Sequence, residues 1–305
     1  MRILVTGGAG FIGSHLVDRL IREGHHVVVL DNFSTGNRDF VNPQAVVEEA
    51  DITDNDAVAR LFVMHEPEAV FHMAALVDLR ASLHNSDDND AVNVEGSKNV
   101  IRAAAAHNVR AFVFSSTAAV YGPTSPIPVQ ESTQPEPVSP YGQGKFKIEE
   151  YLKTSGLAAV AVLRYANVYG PRQGTVGEGG VVAVFCKQLA EGEPLSVFGD
   201  GTQTRDFVFV LDIVEANMRA LTAGLNFTVC NVGTGHETSV NEIANILLRI
   251  SEKNSIVKHL KKVEGEVLRS ALDNHLITSE LGWKPRIMPI DGLLQTWEWF
   301  EKHYI

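Results

Sequence analysis

Tyr141 and Lys145 stand four residues apart in VSPYGQGKF, with Pro140 directly before the tyrosine. Proline suits the first turn of a helix, and residues at i and i+4 share a helix face, so the segment sets a phenol beside an ammonium. A phenol ionises near pKa ~10, too high for a base at neutral pH, and a neighbouring cation favours its charged form. The pair is therefore either proton-transfer chemistry or a chance neighbourhood on a solvated helix, and the rest of the chain decides between them.

Two further clusters bear on that choice. FSSTAAVYG, Phe114 to Gly122, closes an apolar run. Alternation along a strand puts Ser115 and Thr117 on one face and Ser116 on the other. Hydroxyl clusters are ordinarily turn chemistry, but this one falls at the carboxyl end of a buried strand, the edge where open α/β sheets bind ligands. VTGGAGFIGSH places Gly7, Gly10 and Gly13 between a strand and a helix, and Gly8, Gly10 and Gly13 form a nested GxGxxG. Such glycines allow a tight turn and close approach of backbone to a pyrophosphate, while the helix N-terminus offers open N–H groups and partial positive charge. Asp31 ends the next strand, 18 residues past Gly13. A carboxylate there bonds ribose hydroxyls and repels a 2′-phosphate, which favours NAD over NADP; nearby Arg38 is the competing signal.

The elements that must position these residues are legible as apolar runs. Residues 2–6, 26–31, 69–75, 111–116 and 159–165 are continuous rather than alternating, as expected of strands covered on both faces of a parallel sheet. Between them, 12–23, 54–65 and 92–107 carry apolar residues at helical spacing, with Asp54 a predicted N-cap. The order β, α, β, α predicts a doubly wound parallel (Rossmann) α/β sheet. After the glycine-rich GPRQGTVGEGG the rhythm changes: helical VVAVFCKQLAEG, a short PLSVFG, and a helix over 240–252 capped by Ser239 predict a smaller C-terminal α/β unit. Residues 207–221 and 227–233 read as sheet material, so the expected division is 1–168 with a return near 207–233, and the remainder of 169–305 as a second domain.

Composition narrows the classes. The chain has 305 residues, enough for one large or two smaller domains. Lys plus Arg number 26 against 37 Asp plus Glu, a net charge of −11 that repels a nucleic-acid backbone. Two cysteines, Cys186 and Cys230, are too few for a disulfide framework or a cysteine metal site, and no zinc-protease His/Glu spacing occurs, so no metal is expected. The amino terminus runs straight into RILVTGG without a signal-peptide pattern, and no run of roughly 18 apolar residues follows. A cytoplasmic protein with no membrane partner is expected.

Through TGGAGFIG, the strand ending in SSTAAVYG, and Tyr141 to Lys145, the sequence resembles the extended short-chain dehydrogenase/reductase family. NVEGSKNV, RYANVYGPRQ, FGDGTQTRDFVFVLDIVEA and GEVLRSALD extend the likeness nearly end to end, toward the nucleotide-sugar branch and its UDP-glucose 4-epimerases. The resemblance implies that Tyr141 is the acid/base, that Lys145 binds the nicotinamide ribose and stabilises the phenolate, and that Thr117 bonds the sugar O4. It carries NAD to Gly7, Gly10, Phe11, Ile12, Gly13, Asp31, Asn32, Ser34, Thr35, Gly36, Asp51, Ile52, Met73, Ala74, Ala75, Asn93, Ser115, Tyr165 and Val168, besides Tyr141 and Lys145. For a UDP-sugar it implies Asn167, Val182, Phe198, Arg205 and Ser270, besides Thr117 and Tyr141. For Arg205 the competing reading is a surface pair with Asp206.

The implied reaction is reversible oxidation at sugar C4, interconverting UDP-glucose with UDP-galactose. Dehydratases of the branch carry an acidic pair after the threonine, whereas Ala118 and Ala119 follow here. Two departures leave the substrate open. Val263 stands where the family usually has a phosphate-binding arginine, with Lys261 and Lys262 just upstream, and Ser270 stands where some relatives place a bulky tyrosine. A small residue there would admit an N-acetyl group, so UDP-GlcNAc/UDP-GalNAc joins the expected substrates. UDP-glucuronate epimerisation, a related dehydratase or reductase, and a non-catalytic NAD sensor are the alternatives. A homodimer through two helices of the first domain is expected, as in relatives.

Overall fold

The computed structural model describes residues 1–77, 86–123, 126–175, 180–224, 226–262 and 267–304. Seven strands form one wholly parallel sheet: β1 (Arg2–Thr6), β2 (His26–Asp31), β3 (Val46–Glu49), β4 (Ala69–His72), β5 (Ala111–Thr117), β6 (Val160–Tyr165) and β11 (Phe227–Val232), in the order β11-β6-β5-β4-β1-β2-β3. The chain runs outward from β1 to β3, then returns to β4 on the other side of β1, so strand order reverses between β1 and β4. Ligand crevices of open sheets lie at that switch, outside the carboxyl ends of the strands. Register brings the ends level: Thr6 pairs with His72, His72 with Phe114, and Thr117 with Tyr165.

Both faces of the sheet are covered over its central strands, which is why those strands are mostly apolar. On one face Ile3, Val5, Val29, Phe71 and Leu163 pack with the helices Phe11–Arg22 and Val210–Thr222. On the other, Leu4, Val28, Val70, Phe112, Phe114 and Val162 pack with Asn55–His65, Ser97–Ala106 and Pro140–Leu152. Each such fully buried Leu, Ile or Phe stabilises by about 1.5–3 kcal/mol. Asp54 accepts from the Asp56 and Ala57 amides, the predicted N-cap.

A third apolar cluster builds the smaller unit from the helices Val181–Ala190, Val240–Ser251 and Pro289–Tyr304. Short pairs of strands complete it: β7 (Asn167–Tyr169) with β10 (Phe207–Phe209), β8 (Leu195–Phe198) with β13 (Val257–Leu260), and β9 (Thr204–Arg205) with β12 (Thr238–Ser239). Ser239 and Glu242 form the reciprocal capping box at the 240–251 helix. Among the described residues, no helix is long and apolar enough to cross a membrane.

Residues 207–221 are not a strand throughout. Only Phe207–Phe209 is extended, and it pairs outside the main sheet; Val210–Thr222 is a helix whose buried Ile213, Val214, Asn217 and Leu221 face the sheet. A continuous apolar run at a strand-to-helix junction does not separate the two states. The return to the main sheet is made by β11 alone. β3, with its half-exposed alternating VVEE, is the strand that apolar runs do not reveal.

Candidate active site

The turn after β1 is closed by sterics. Gly7 has φ +67°, and a Cβ on it would lie 2.7 Å from the Ala74 nitrogen; a Cβ on Gly13 would lie 2.1 Å from the Gly7 oxygen. Helix and strand thus approach through glycine alone. The following helix starts at Phe11 with Gly10 as an N-cap that makes no side-chain bond, so no side chain competes for the first amides of Phe11, Ile12 and Gly13. That leaves the positive end of the helix facing the crevice.

Asp31 fixes the far side of this turn. Its Oδ2 accepts from the Ala9 amide at 2.9 Å and its Oδ1 from the Phe33 amide at 2.9 Å, and each carboxylate oxygen has lone-pair capacity beyond that single bond. Gly36 packs against it, where a Cβ would stand 2.9 Å from Oδ1. Asn32 donates to Asp51 at 2.7 Å and accepts from the Ser34 amide, with Thr35 exposed beyond. Burial opposes ionisation of Asp51, but bonds from Thr53 and Asn32 hold it below the usual carboxylate range. Arg38 lies over the Phe33 ring at 4.0 Å and pairs with Glu49. Its guanidinium is therefore engaged by Glu49, which lies opposite Asp31 in the β2–β3 register. Ile52 is buried beneath Gly96, whose Cβ would meet it at 2.7 Å.

At the end of β5 the predicted pair comes together. Ser139 caps the Pro140–Leu152 helix by accepting from the Gly142 amide, and Pro140 occupies the first turn. Gly142 lets this helix touch the turn after β5, since a Cβ there would lie 2.6 Å from the Ala119 oxygen. Thr117 caps that turn through the Ala119 amide at 3.2 Å. Tyr141 and Lys145 share the inward face, 8% and 2% exposed. Lys145 Nζ donates to the Ser115 carbonyl at 2.8 Å and sits 4.7 Å from the Phe114 ring and 5.9 Å from the Tyr141 ring. Burial lowers its pKa to about 7, against the opposing pull of Glu149 one turn further on.

Beneath the pair lies a buried polar layer that spacing did not announce. Glu149 receives Arg164 twice, Nη2 to Oε2 at 2.5 Å and Nε to Oε1 at 3.0 Å, and also the Ser116 hydroxyl at 2.5 Å. Arg164 continues to the Tyr121 hydroxyl at 2.8 Å, which donates to Asn231 at 2.7 Å. Burial raises Tyr121 to about 12, keeping it a neutral donor. On the β4 side, His72 bridges the Thr6 hydroxyl at 2.7 Å and the Ser97 hydroxyl at 2.8 Å. Ser97 Oγ donates to the Asn93 carbonyl, so it accepts from His72 Nε2–H; Nδ1 then accepts from Thr6. Full burial drives this imidazole down to about 3 and keeps it neutral. A lone ionisable residue inside an apolar strand, His72 in AVFH and Arg164 in VAVLRY, is the signal that could have found both.

The remaining expected residues divide by position. Met73, Ala74 and Ala75 follow β4 along the crevice, and Asn93 clamps the next residue, its side chain bonding both the Leu76 nitrogen and oxygen at 2.9 Å. Tyr165 bonds Asn217 and approaches the Met73 sulfur at 3.9 Å. Asn167 is exposed on β7 with Val168 half-buried beside it. Phe198 is 39% exposed at the end of β8, whereas Val182 is 1% exposed inside the third cluster. Arg205 lies on β9, one of its nitrogens donating to the Thr204 carbonyl at 2.8 Å. The Asp206 carboxylate instead accepts from Thr234, Gly235 and Leu272. Ser270 is half-buried between Arg269, which pairs with Glu237, and Ala271. Val263 lies outside the described residues. Among the described residues, no group of His, Cys, Asp and Glu could hold a metal ion.

Comparison with known proteins agrees with this geometry. The structure is similar to that of UDP-glucose 4-epimerase from Thermotoga maritima with UDP-glucose, at 41% identity and TM-score 0.96 over 99% of each chain. It is similar also to the Thermus thermophilus UDP-glucose 4-epimerase complex with NAD, at 36% identity and TM-score 0.93, covering 99% of this chain and 100% of that one. The UDP-glucose 4-epimerase of Mycolicibacterium smegmatis is 38% identical over 98% of each chain. Residues 3–233 match the model of the NAD dependent epimerase/dehydratase family, and with full-length relatives above 30% identity the chain belongs to that family.

Proposed function

We propose that this chain is an NAD-dependent UDP-hexose 4-epimerase. The observation that carries the reading is the placement of Tyr141 and Lys145 over the end of β5, at the edge where the Gly7 to Gly13 turn and Asp31 form a dinucleotide cradle. When bound, NAD supplies a reversible hydride acceptor, so sugar C4 passes through a ketone and is reduced on its opposite face without net redox change.

The chain's own residues handle the proton and the orientation. Tyr141 takes the O4 proton and later returns it, and the Lys145 ammonium beside its ring favours the phenolate that this requires. The Ser115 carbonyl anchors that ammonium. Thr117, at the strand end, orients O4. Ala118 and Ala119 offer no acid to eliminate water from the ketone. Asn167, Phe198 and Arg205 hold the UDP moiety, the Arg205 fork suiting diphosphate oxygens. Asp31, at the end of β2, selects NAD by bonding ribose hydroxyls, while Arg38 is paired with Glu49. Half-buried Ser270 extends the substrates to the N-acetylated pair. We assign 1–168 with the 207–233 return to cofactor binding and the remainder to the sugar nucleotide, with the β7–β10 pair (Asn167–Tyr169 and Phe207–Phe209) at the junction of the two. A homodimer in the cytoplasm completes the reading, and sedimentation as a monomer at micromolar concentration would remove the dimer.

The test is incubation of purified protein with UDP-glucose, UDP-GlcNAc and UDP-glucuronate, followed by chromatographic separation of C4 epimers. Epimers of the first two are expected, with Tyr141→Phe slower by roughly 10²–10⁴-fold at unchanged NAD content. A net accumulation of NADH, or a deoxy-keto product in place of epimers, would overturn the assignment.

A further inference from the structure

The helix that precedes Ser97 changes pitch. Ser86–Asp90 is α-helical, Ala91–Gly96 forms a π turn, and α-helix resumes at Ser97. Such turns re-aim side chains, and they occur often at functional sites. Asn89 sits just before the π turn and Asn93 within it, each 1% exposed. Asn93 grips the backbone of Leu76 by both of its polar groups, which fixes the orientation of its amide. The same Nδ2 donates to Asn89 Oδ1 at 2.7 Å. Asn89 must then present its NH2 outward, and its Nδ2 meets the Pro140 carbonyl at 3.2 Å. Pro140 is the residue directly before Tyr141. Gly144, on the next turn of the same helix, packs against this pair, a Cβ there lying 3.4 Å from Asn89 Nδ2 and 3.5 Å from Asn93 Cβ.

We infer that Asn89 is a positioning residue: with Asn93 it forms a buried strut that sets the start of the Tyr141 helix against the segment leaving β4. This rests on the epimerase reading of the same site. The strut joins two walls of the crevice that are otherwise far apart in the chain. One wall, Met73 to Leu76, lies beside the glycine turn, since the Ala74 amide donates to Thr6 Oγ1 at 3.2 Å. The other carries the phenol. Apolar packing alone fixes such a distance loosely, whereas a chain of directional bonds from the Leu76 backbone through Asn93 and Asn89 to the Pro140 carbonyl fixes it sharply. A misplacement of about 1 Å at a reacting group costs up to about 10²-fold in rate.

The experiment compares the parent with Asn89→Ala and Asn89→Leu, the latter keeping the volume so that folding is retained. Measured are kcat and KM for UDP-glucose, bound NAD per chain, and the tyrosinate absorbance lost on introducing Tyr141→Phe, followed against pH. The expected result is a kcat lower by about 10- to 100-fold, with KM and NAD content within about twofold, and a Tyr141 titration displaced to higher pH as the phenol loses its fixed place near Lys145. A kcat within about threefold of the parent in either folded variant would overturn the inference, as would a loss of rate that simply follows loss of NAD. The titration needs no sugar. An inactive parent would therefore refute the epimerase reading, while an unchanged tyrosinate titration in the variants would refute the strut.

Discussion

Glu149→Gln is the substitution on which the buried layer can be judged. Its side chain is 1% exposed and its Arg164 partner 6%, joined by two bonds, with Lys145 one helical turn away and 2% exposed. Glutamine keeps the size and can still accept from Ser116, but it removes the negative charge that faces Arg164 and Lys145. Two buried cations would then lack their counter-charge. Breaking one side of a buried pair costs about 3–5 kcal/mol, because the remaining charge is stranded out of water. Urea unfolding followed by the fluorescence of Trp283, Trp297 and Trp299 reads that loss directly. Adding Arg164→Met should recover part of it, since the stranded guanidinium is then removed while glutamine still accepts from Ser116 and the Tyr121 hydroxyl keeps its bond to Asn231 at 2.7 Å. A Glu149→Gln protein within about 1 kcal/mol of the parent would refute the account. So would a double variant no more stable than the single one, because the penalty would then be lost packing rather than stranded charge.

Lys145→Met is expected to unfold at higher urea than the parent near pH 7 while losing epimerase activity. A lysine held at about 7 binds fewer protons folded than unfolded between pH 7 and its ordinary value, so parent stability rises with pH across that window and this slope should vanish in the variant. His72→Phe fits between Phe112 and Phe114, which already flank the imidazole at 6.2 and 5.8 Å. It should cost about 1–3 kcal/mol at neutral pH, because the Thr6 and Ser97 hydroxyls lose a partner. It should also remove part of the acid sensitivity: with His72 held at about 3, the unfolded chain binds the extra proton from pH 6.5 downward and stability falls with pH. Equal slopes in parent and variant over that range would refute this. Gly13→Ala, whose Cβ would lie 2.1 Å from the Gly7 oxygen, should purify without NAD, as read by absorbance of the released nucleotide; full occupancy would show that the turn can yield.

What the sequence disclosed was what lies close together in the chain. Gly7, Gly10 and Gly13 span one turn, Asp31 closes the next strand, and Tyr141 and Lys145 share one helix face, so spacing alone placed them on elements and the sheet brought those elements to one edge. Strands β1, β2, β4, β5 and β6 were visible because burial on both faces leaves a largely apolar run, and β11 through its Phe227, Val229, Cys230 and Val232. The same rule failed at Val210–Thr222, which is a helix covered by the sheet on one side and by its neighbours on others. It failed again at β3, whose outer position lets every second residue stay in water.

The polar residues of the layer were hidden because their partners come from far along the chain: Arg164 reaches Tyr121 across 43 residues, and Tyr121 reaches Asn231 across 110. Yet the need for partners was legible. A histidine within AVFH and an arginine within VAVLRY cannot be left unpaired in a strand covered on both faces, and Glu149 follows Tyr141 and Lys145 at the same four-residue step that first singled out the pair. The step places all three on one inward face, so the helix supplies a phenol at the crevice, an ammonium behind it and a carboxylate deeper still. Arg164 occupies the carboxylate and thereby limits how far it can neutralise the ammonium. Burial brings Lys145 down to about 7 against the pull of Glu149, so the ammonium beside the Tyr141 ring is held by the carboxylate behind it rather than by solvent.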